Sequence, residues 1–151
     1  MKSEIIILSG IPCSGKSSFR NQEKFTNYMI ICRDDTRERW WGKDYTYTRD
    51  NENKVTKMCN ASFDVAISVG MGIIIDNTHC KDVYIQEWIK RAPSNYTVKI
   101  KFFDIPLYEA HLRNIFRHIV KGKWIPISVM NNMYRNYQKL DKKKYEHMVY
   151  I

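Results

Sequence analysis

Three short apolar runs lie in the first half of the chain, each bounded by residues typical of turns. They are segments 5–8, 28–32 and 72–75, and all three are rich in isoleucine. Runs of this length and composition predict buried β-strands. A fourth segment, 96–103, alternates apolar with polar residues, which predicts an edge strand with one face in solvent. The pattern therefore predicts four strands along the chain.

Segments with apolar residues at helical spacing separate these strands. The predicted helices cover residues 17–23, 51–69, 81–91, 106–116 and a last helix that starts at Pro126. The aromatic stretch 38–50 predicts a short helix and a surface segment, and the basic stretch 117–125 predicts a loop because it contains Gly122. Strands alternating with helices predict an α/β fold, a parallel sheet of about four strands between helices. Since no linker or repeat interrupts the pattern, we expect a single domain over residues 1–151.

The turn after the first strand, residues 10–17, reads G-x-x-x-x-G-K-S, the phosphate-binding loop pattern. Gly10 and Gly15 let the backbone approach a phosphate closely, and Lys16 supplies a positive charge for the β- and γ-phosphates. Ser17 offers a hydroxyl to Mg²⁺. The other expected nucleotide contacts in the loop are Pro12, Ser14 and Ser18. A chance match is the alternative, but the strand and helix around the motif favour a P-loop NTPase fold that binds a nucleoside triphosphate.

The net charge of +9 is unevenly distributed. Residues 1–80 contain 11 basic and 10 acidic side chains, whereas residues 81–151 contain 14 and 6. A basic half beside a nucleotide site is typical of a protein with a polyanionic second substrate. From charge alone, a solvated basic surface that only maintains solubility is an equally good interpretation.

The cysteine content and the lengths of the apolar runs indicate the cellular compartment. The four cysteines, Cys13, Cys32, Cys59 and Cys80, lack the spacing of a metal site and are interpreted as reduced thiols. No apolar run approaches the length of a membrane span, and the chain enters its first strand without a signal peptide. We therefore expect a cytoplasmic protein that has no membrane partner.

Acidic and basic residues follow the second and third predicted strands. Asp34 and Asp76 come just after these strands, where an open parallel sheet binds its ligands. One carboxylate could accept the proton of an attacking hydroxyl and the other could help to place Mg²⁺. The alternative is that they cap the following turns, and Asp35 is the candidate for that role. Arg37 is interpreted as a contact to a phosphate of the acceptor in preference to a simple salt bridge with Asp34.

A basic segment of residues 113–126 is predicted to act as a lid. Arg113, Asn114 and Arg117 lead into it, and such a segment can close over a nucleotide and bring an arginine onto its phosphates. The alternative is an exposed basic helix end that complements the helix dipole.

Taken in order, these motifs are similar to a known family. The order is G-x-x-x-x-G-K-S, then R-D-D-x-R at 33–37, Y-T-Y-T at 45–48, D-N-T at 76–78, R-N-x-x-R at 113–117 and I-P at 125–126. It resembles the kinase domain of phage 5′-polynucleotide kinase-phosphatases over nearly the whole chain. The resemblance implies an enzyme that uses ATP and Mg²⁺ to phosphorylate the 5′-hydroxyl ends of DNA or RNA. It further implies a cytoplasmic location, in the host if a phage encodes the protein, and a homo-oligomer as one arrangement.

The resemblance also implies roles for individual residues. Lys16 and Ser17 would bind ATP and Mg²⁺, with Asp76 as an essential site carboxylate and second metal residue. Asp34 would be the general base on the 5′-hydroxyl, and Arg37 would contact the neighbouring 3′-phosphate. The arginine of the lid would be Arg117, or Arg113 if the longer lid of this chain shifts the register.

Other functions fit the sequence less well. A phosphatase motif, D-x-D-G-T, is absent from these 151 residues, so we expect phosphate to be added to 5′ ends and not removed from 3′ ends. A P-loop kinase of a nucleoside or other small metabolite is the main enzymatic alternative, although it would not need the basic half or Arg37. A GTPase-like switch would need N-K-x-D and D-x-x-G motifs, and neither occurs in these 151 residues. A non-catalytic nucleic-acid-binding module would leave Asp34 and Asp76 unexplained.

Overall fold

A four-stranded parallel sheet forms the centre of the computed structural model, which describes residues 3–151. The strands are β1 (Glu4–Ser9), β2 (Tyr28–Ile31), β3 (Gly72–Asp76) and β4 (Thr97–Phe102), in the spatial order β2-β3-β1-β4. Ile5 pairs with Ile73 on one side and with Val98 on the other. The predicted α/β fold and the edge position of the last strand are both confirmed.

Helices cover both faces of this sheet. They are α1 (Lys16–Arg20), α2 (Arg33–Trp41), α3 (Arg49–Ser68), α4 (Asp82–Arg91), α5 (Leu107–Lys121) and α6 (Ile127–Gln138), with 3₁₀ turns at Glu23–Phe25, Gly42–Asp44 and Lys142–Met148. The start of α3 is capped by the Thr48 hydroxyl, which accepts a bond from the Asn51 N–H.

Alternate isoleucines of the central strands point to opposite faces, which is why these runs are apolar throughout. Ile5 and Ile7 pack with α3 in the larger core, whereas Ile6 and Leu8 pack against Phe19 in the smaller one. Because helices cover both faces of the sheet, the carboxyl ends of the central strands β1 and β3 are held in fixed positions.

Two predicted boundaries are wrong. The polar cluster after β2 is already helical, because α2 begins at Arg33 and ends at Trp41, whereas a helix was expected only after position 38. Residues 117–121 continue α5, so the loop predicted for 117–125 shrinks to its last residues. Gly122, with φ +66°, ends that helix instead of lying within a loop.

The capping role expected of Asp35 is also wrong. Cys32 occupies the N-cap position of α2 and makes no capping bond through its own side chain, and the Arg33 N–H donates to the Asn77 side chain at 3.1 Å. Asp35 lies in the first helical turn and forms an ion pair with Arg20 instead. Among the described residues, no helix has both the length and the apolar character needed to span a membrane.

Candidate active site

The loop of residues 10–17 connects β1 to α1 and has the geometry of an anion site. A Cβ added to Gly10 would lie 2.7 Å from the Ser14 hydroxyl and 2.8 Å from the Phe103 Cβ, so only glycine fits. Gly15 has φ +104°, which favours glycine for a different reason. The Ser14 hydroxyl oxygen is buried without a hydrogen-bond partner among the described residues. An anion held in this loop would provide that partner, so these residues fit a bound phosphate.

Lys16 is buried at the base of the same loop. Its ammonium donates to the carbonyl oxygens of Gly10 at 2.7 Å and Ile11 at 2.8 Å. Burial lowers the pKa of Lys16, and the negative charge of Asp76 opposes that shift. Ser17 and Ser18 follow in the first turn of α1 and are exposed, and Pro12 is half-buried. The loop thus presents one buried cation and several hydroxyls toward the same end of the sheet.

Arg20 joins two carboxylates across the end of the sheet. Its guanidinium lies 2.6 Å from Asp35 of α2 and 3.2 Å from Asp76 at the end of β3. Burial raises the pKa of Asp76, while Lys16 and Arg20 act in the opposite direction. Arg20 is not among the predicted site residues, because a single arginine one turn into a helix does not show which acidic residues face it.

The segment after β3 is fastened to the base of the phosphate loop. The Gly10 N–H donates to the Thr78 carbonyl at 2.9 Å, and the Ser9 hydroxyl donates to the His79 carbonyl at 2.9 Å. The His79 ring nitrogen Nδ1 lies 2.6 Å from the Leu8 carbonyl oxygen, which requires Nδ1 to carry the proton. Burial lowers the pKa of His79 to about 4, so the ring is neutral at physiological pH. The segment that follows Asp76 is therefore held to the loop by backbone hydrogen bonds, and Asp76 itself is attracted to Lys16 by its charge.

Asp34 and Arg37 lie next to each other on the first turn of α2. The Asp34 carboxylate is 81% exposed and lies 2.6 Å from the Arg37 guanidinium. The salt bridge considered as an alternative therefore forms, and it leaves most of the carboxylate open to solvent. A phosphate contact by Arg37 stays a prediction.

Glu52 of α3 anchors this guanidinium from the opposite side. Its carboxylate accepts from both Nε and Nη2 of Arg37 at 2.9 Å, and also from Arg33 at 2.7 Å and from the Tyr45 hydroxyl. Arg37 lowers the pKa of Glu52 to about 2, with further contributions from Tyr45 and Arg33. The rings of Tyr45 and Tyr47 lie 5.7 and 5.2 Å from the Arg37 guanidinium carbon. Glu52 could not be predicted from the sequence, since only the packing of α2 on α3 brings it to Arg37.

Aromatic residues near α2 divide between core and surface. Trp41 and Tyr45 pack together, with ring centroids 5.3 Å apart, against the larger core. Trp40 is largely exposed. Trp41 and Tyr45 are thus used in packing, whereas Trp40 lies in solvent.

Both candidate lid arginines reach the phosphate loop from α5. Arg113 donates to the Cys13 carbonyl at 3.1 Å, and an Arg117 nitrogen lies 4.0 Å from the Cys13 sulfur. Buried Asn114 bonds the backbone of Ile125 in both directions, at 2.8 and 3.2 Å, and so fixes the path of the chain after the helix. The geometry does not choose between the two arginines, and the lid of residues 113–126 stays a prediction.

Two groups of basic side chains in the second half lie in separate places. The group at the end of α5 is near the candidate site, where Lys123 lies 3.3 Å from Glu38 of α2. The group at Lys142, Lys143 and Lys144 lies beside β4, at the opposite edge of the sheet from β2. Of these two groups, the first contacts α2, the helix that carries Asp34 and Arg37.

A metal ion would depend on the nucleotide for part of its coordination. Within residues 3–151, no group of three or more histidine, cysteine or acidic side chains is placed to hold one. Ser17 and Asp76 are therefore predicted metal residues only in company with phosphate oxygens.

Comparison with known proteins places the chain among P-loop proteins. The family model described as "AAA domain" matches residues 5–140. A protein named as a bifunctional polynucleotide kinase/RNA ligase, from Autographa californica nuclear polyhedrosis virus, is 30% identical over 127 residues. That match covers 76% of this chain and 18% of the viral protein.

Solved structures also share the fold of this chain. A chain of the Pnkp1/Rnl/Hen1 RNA repair complex has a TM-score of 0.81 and 29% identity, covering 96% of this chain and 47% of its own. A gluconokinase from Sinorhizobium meliloti 1021 has a TM-score of 0.60 and 16% identity, covering 97% and 80%, which is a likeness of fold alone. The chain thus spans less than half of the length of its polynucleotide kinase relatives.

Proposed function

The chain belongs to the AAA-domain family, and from that premise we propose that this P-loop kinase transfers the γ-phosphate of ATP to the 5′-hydroxyl end of DNA or RNA. The observation that carries the proposal is the exposed Asp34 carboxylate beside an Arg37 guanidinium that Glu52 holds in place. The names of the viral relative and of the repair complex support a polynucleotide as the acceptor.

On the donor side, the loop of residues 10–17 would hold the phosphates of ATP. The Ser14 hydroxyl and the backbone N–H groups would donate to phosphate oxygens, and Lys16 would exchange its carbonyl partners for the β- and γ-phosphates. Ser17 and Asp76 would hold Mg²⁺, which would supply further neutralisation of phosphate charge. Arg117, or Arg113, would reach the same phosphates from α5 because both already contact Cys13.

On the acceptor side, Asp34 would accept the proton of the attacking 5′-hydroxyl. Its neighbour Arg37 uses Nε and Nη2 to bind Glu52, which leaves Nη1 as the nitrogen directed toward Asp34. A phosphate on the 3′ side of the terminal nucleoside could bind at that end of the guanidinium and bring the hydroxyl close to the carboxylate. Positioning of this kind accounts for a large part of phosphoryl-transfer catalysis.

A kinase of a nucleoside or another small metabolite is the second candidate. It is favoured by the position of Lys142 to Lys144 away from α2, because these basic side chains are then not at the candidate acceptor site. Such an enzyme would use the same loop and base but would gain nothing from Arg37.

The test compares kcat/KM for a nucleoside, its 3′-monophosphate and a 5′-hydroxyl oligonucleotide. We expect the 3′-monophosphate to exceed the bare nucleoside by roughly ten- to a hundred-fold, the effect of one charge-assisted hydrogen bond. Arg37→Ala should remove most of that difference, whereas Arg39→Ala, which changes an exposed arginine of the same helix, should preserve it. Equal efficiency on the bare nucleoside would contradict a polynucleotide acceptor and favour the small-molecule kinase.

A further inference from the structure

The outer face of α5 carries a row of large apolar side chains in solvent. Its five members are 47 to 75% exposed: Tyr108, Leu112, Ile115, Phe116 and Ile119. Their spacing places them on one side of a helix, and we call this row the outer face. Trp124 and Ile127, just beyond the helix, are also exposed. Monomeric proteins seldom leave so large a continuous apolar surface uncovered.

The fold of residues 3–151 does not use that surface. Ala110 and Asn114, on the other side of α5, are fully buried and attach the helix to the rest of the protein. Arg113 and Arg117 lie between the two sides and contact Cys13. The outer face can therefore be covered without displacing α5 or blocking the phosphate loop.

The spacing of the row matches a helix-pairing seam. Tyr108, Leu112, Ile115 and Ile119 follow one another at intervals of four, three and four residues. This is the a/d pattern by which one helix packs along another. The pattern keeps the row within one strip along the helix, a shape that a second helix can cover.

We propose that the outer face is a dimer interface, in which α5 packs antiparallel on α5 of a second copy of this chain. From the exposed fractions and typical side-chain areas, the row and Val120 offer on the order of 700 Å² per copy. Stable interfaces bury about 800 Å² per partner, a value reached when Trp124 and Ile127 contribute.

An antiparallel arrangement makes the row self-complementary. Leu112 would face Ile115 of the second copy, and Tyr108 would face Ile119, so that two distinct layers occur twice. The acidic end of each helix, at Glu109, would lie toward the basic end of the other, at Lys121 and Lys123. The two helix dipoles would be antiparallel, which is the favourable arrangement.

The test measures association of the 151-residue protein by sedimentation velocity over a range of concentrations. We expect a dimer that is insensitive to nuclease treatment and only weakly dependent on salt, because the contact is apolar. Leu112→Glu and Ile115→Lys should each weaken dimerisation by more than about tenfold, because each places a charge in a buried layer. Val65→Lys, at an exposed apolar position of α3, is the matched control and should still dimerise.

A mixture of the two variants tests the direction of packing. In the antiparallel arrangement the new carboxylate faces the new ammonium, so mixing Leu112→Glu with Ile115→Lys should restore a heterodimer. Thermal unfolding should show that both variants fold, and the milder Leu112→Gln should weaken the dimer if either does not.

Several results would overturn the proposal. A wild-type monomer at all concentrations, an undiminished dimer in both single variants, or loss of the dimer in the Val65→Lys control would each do so. Dissociation by nuclease would assign the surface to nucleic acid, and binding of the monomer to lipid vesicles would assign it to a membrane. Failure of the mixture to associate would exclude the antiparallel pairing.

Discussion

Replacing Glu52 by glutamine should test how the structure holds Arg37. The side chain keeps its shape and one acceptor but loses the charge that faces Arg33 and Arg37. A pKa lowered from 4.5 to about 2 corresponds to about 3 kcal/mol of stability at neutral pH. Since the side chain is 31% exposed, solvent screening reduces the expected loss to about 2 kcal/mol.

The pH dependence gives this prediction its sign. The folded pKa is depressed, so the contribution is complete above pH 4.5 and is lost as the pH falls through about 2. Denaturant unfolding at pH 7 should therefore separate Glu52→Gln from wild type by more than unfolding at pH 3. Glu38→Gln, which removes one exposed pair with Lys123, should cost less than about 1 kcal/mol.

An activity measurement separates positioning from stability. With Arg37 released, Glu52→Gln should raise the KM for a nucleoside 3′-monophosphate and leave that for the bare nucleoside unchanged. If Glu52→Gln is as stable as Glu38→Gln at pH 7 and its KM values match wild type, Glu52 does not hold Arg37 in solution.

Three further predictions follow from single side chains. Asp34→Asn should lower kcat by about 10²- to 10⁴-fold with nucleotide affinity retained by titration, and turnover above about a tenth of wild type would exclude Asp34 as the base. Arg117→Ala should slow transfer more than Arg113→Ala in single-turnover measurements, and the reverse order would shift the lid register by one turn. His79→Asn, which suits the positive φ of that position, should remove part of the acid sensitivity. Wild type should lose about 2 kcal/mol between pH 7.5 and 5, because the unfolded chain takes up the proton that buried His79 excludes, whereas exposed His147→Asn should show the wild-type slope.

The strands and the phosphate loop could be predicted because their signals are local. Isoleucine runs and a fixed motif report on the backbone without knowledge of what packs nearby, and four strands were found within one or two residues of their ends. The start of α2 was missed because its first turn, Arg33 to Arg37, is polar on every side and shows no apolar period. The end of α5 was missed because its apolar outer face is interrupted by basic residues that were interpreted as a loop.

The site residues that could be predicted are also those with a local signal in the sequence. Lys16, Asp34 and Asp76 follow from position after a strand, which the sequence displays. Glu52 lies 15 residues from Arg37, and only the crossing of α2 and α3 joins them. His79 and Arg20 depend in the same way on contacts made across the sheet.

The strand order has a consequence for how this enzyme could change. The predicted nucleotide contacts lie in the first 20 residues and on α5, whereas Asp34, Arg37 and Glu52 all belong to the crossover between β2 and β3. The predicted acceptor residues therefore lie in one continuous stretch of the chain, between the two stretches that carry the predicted nucleotide contacts. The segment between Cys32 and Gly72 could therefore be replaced as one unit by the corresponding segment of a kinase with another acceptor. The residues predicted to bind the nucleotide would be retained.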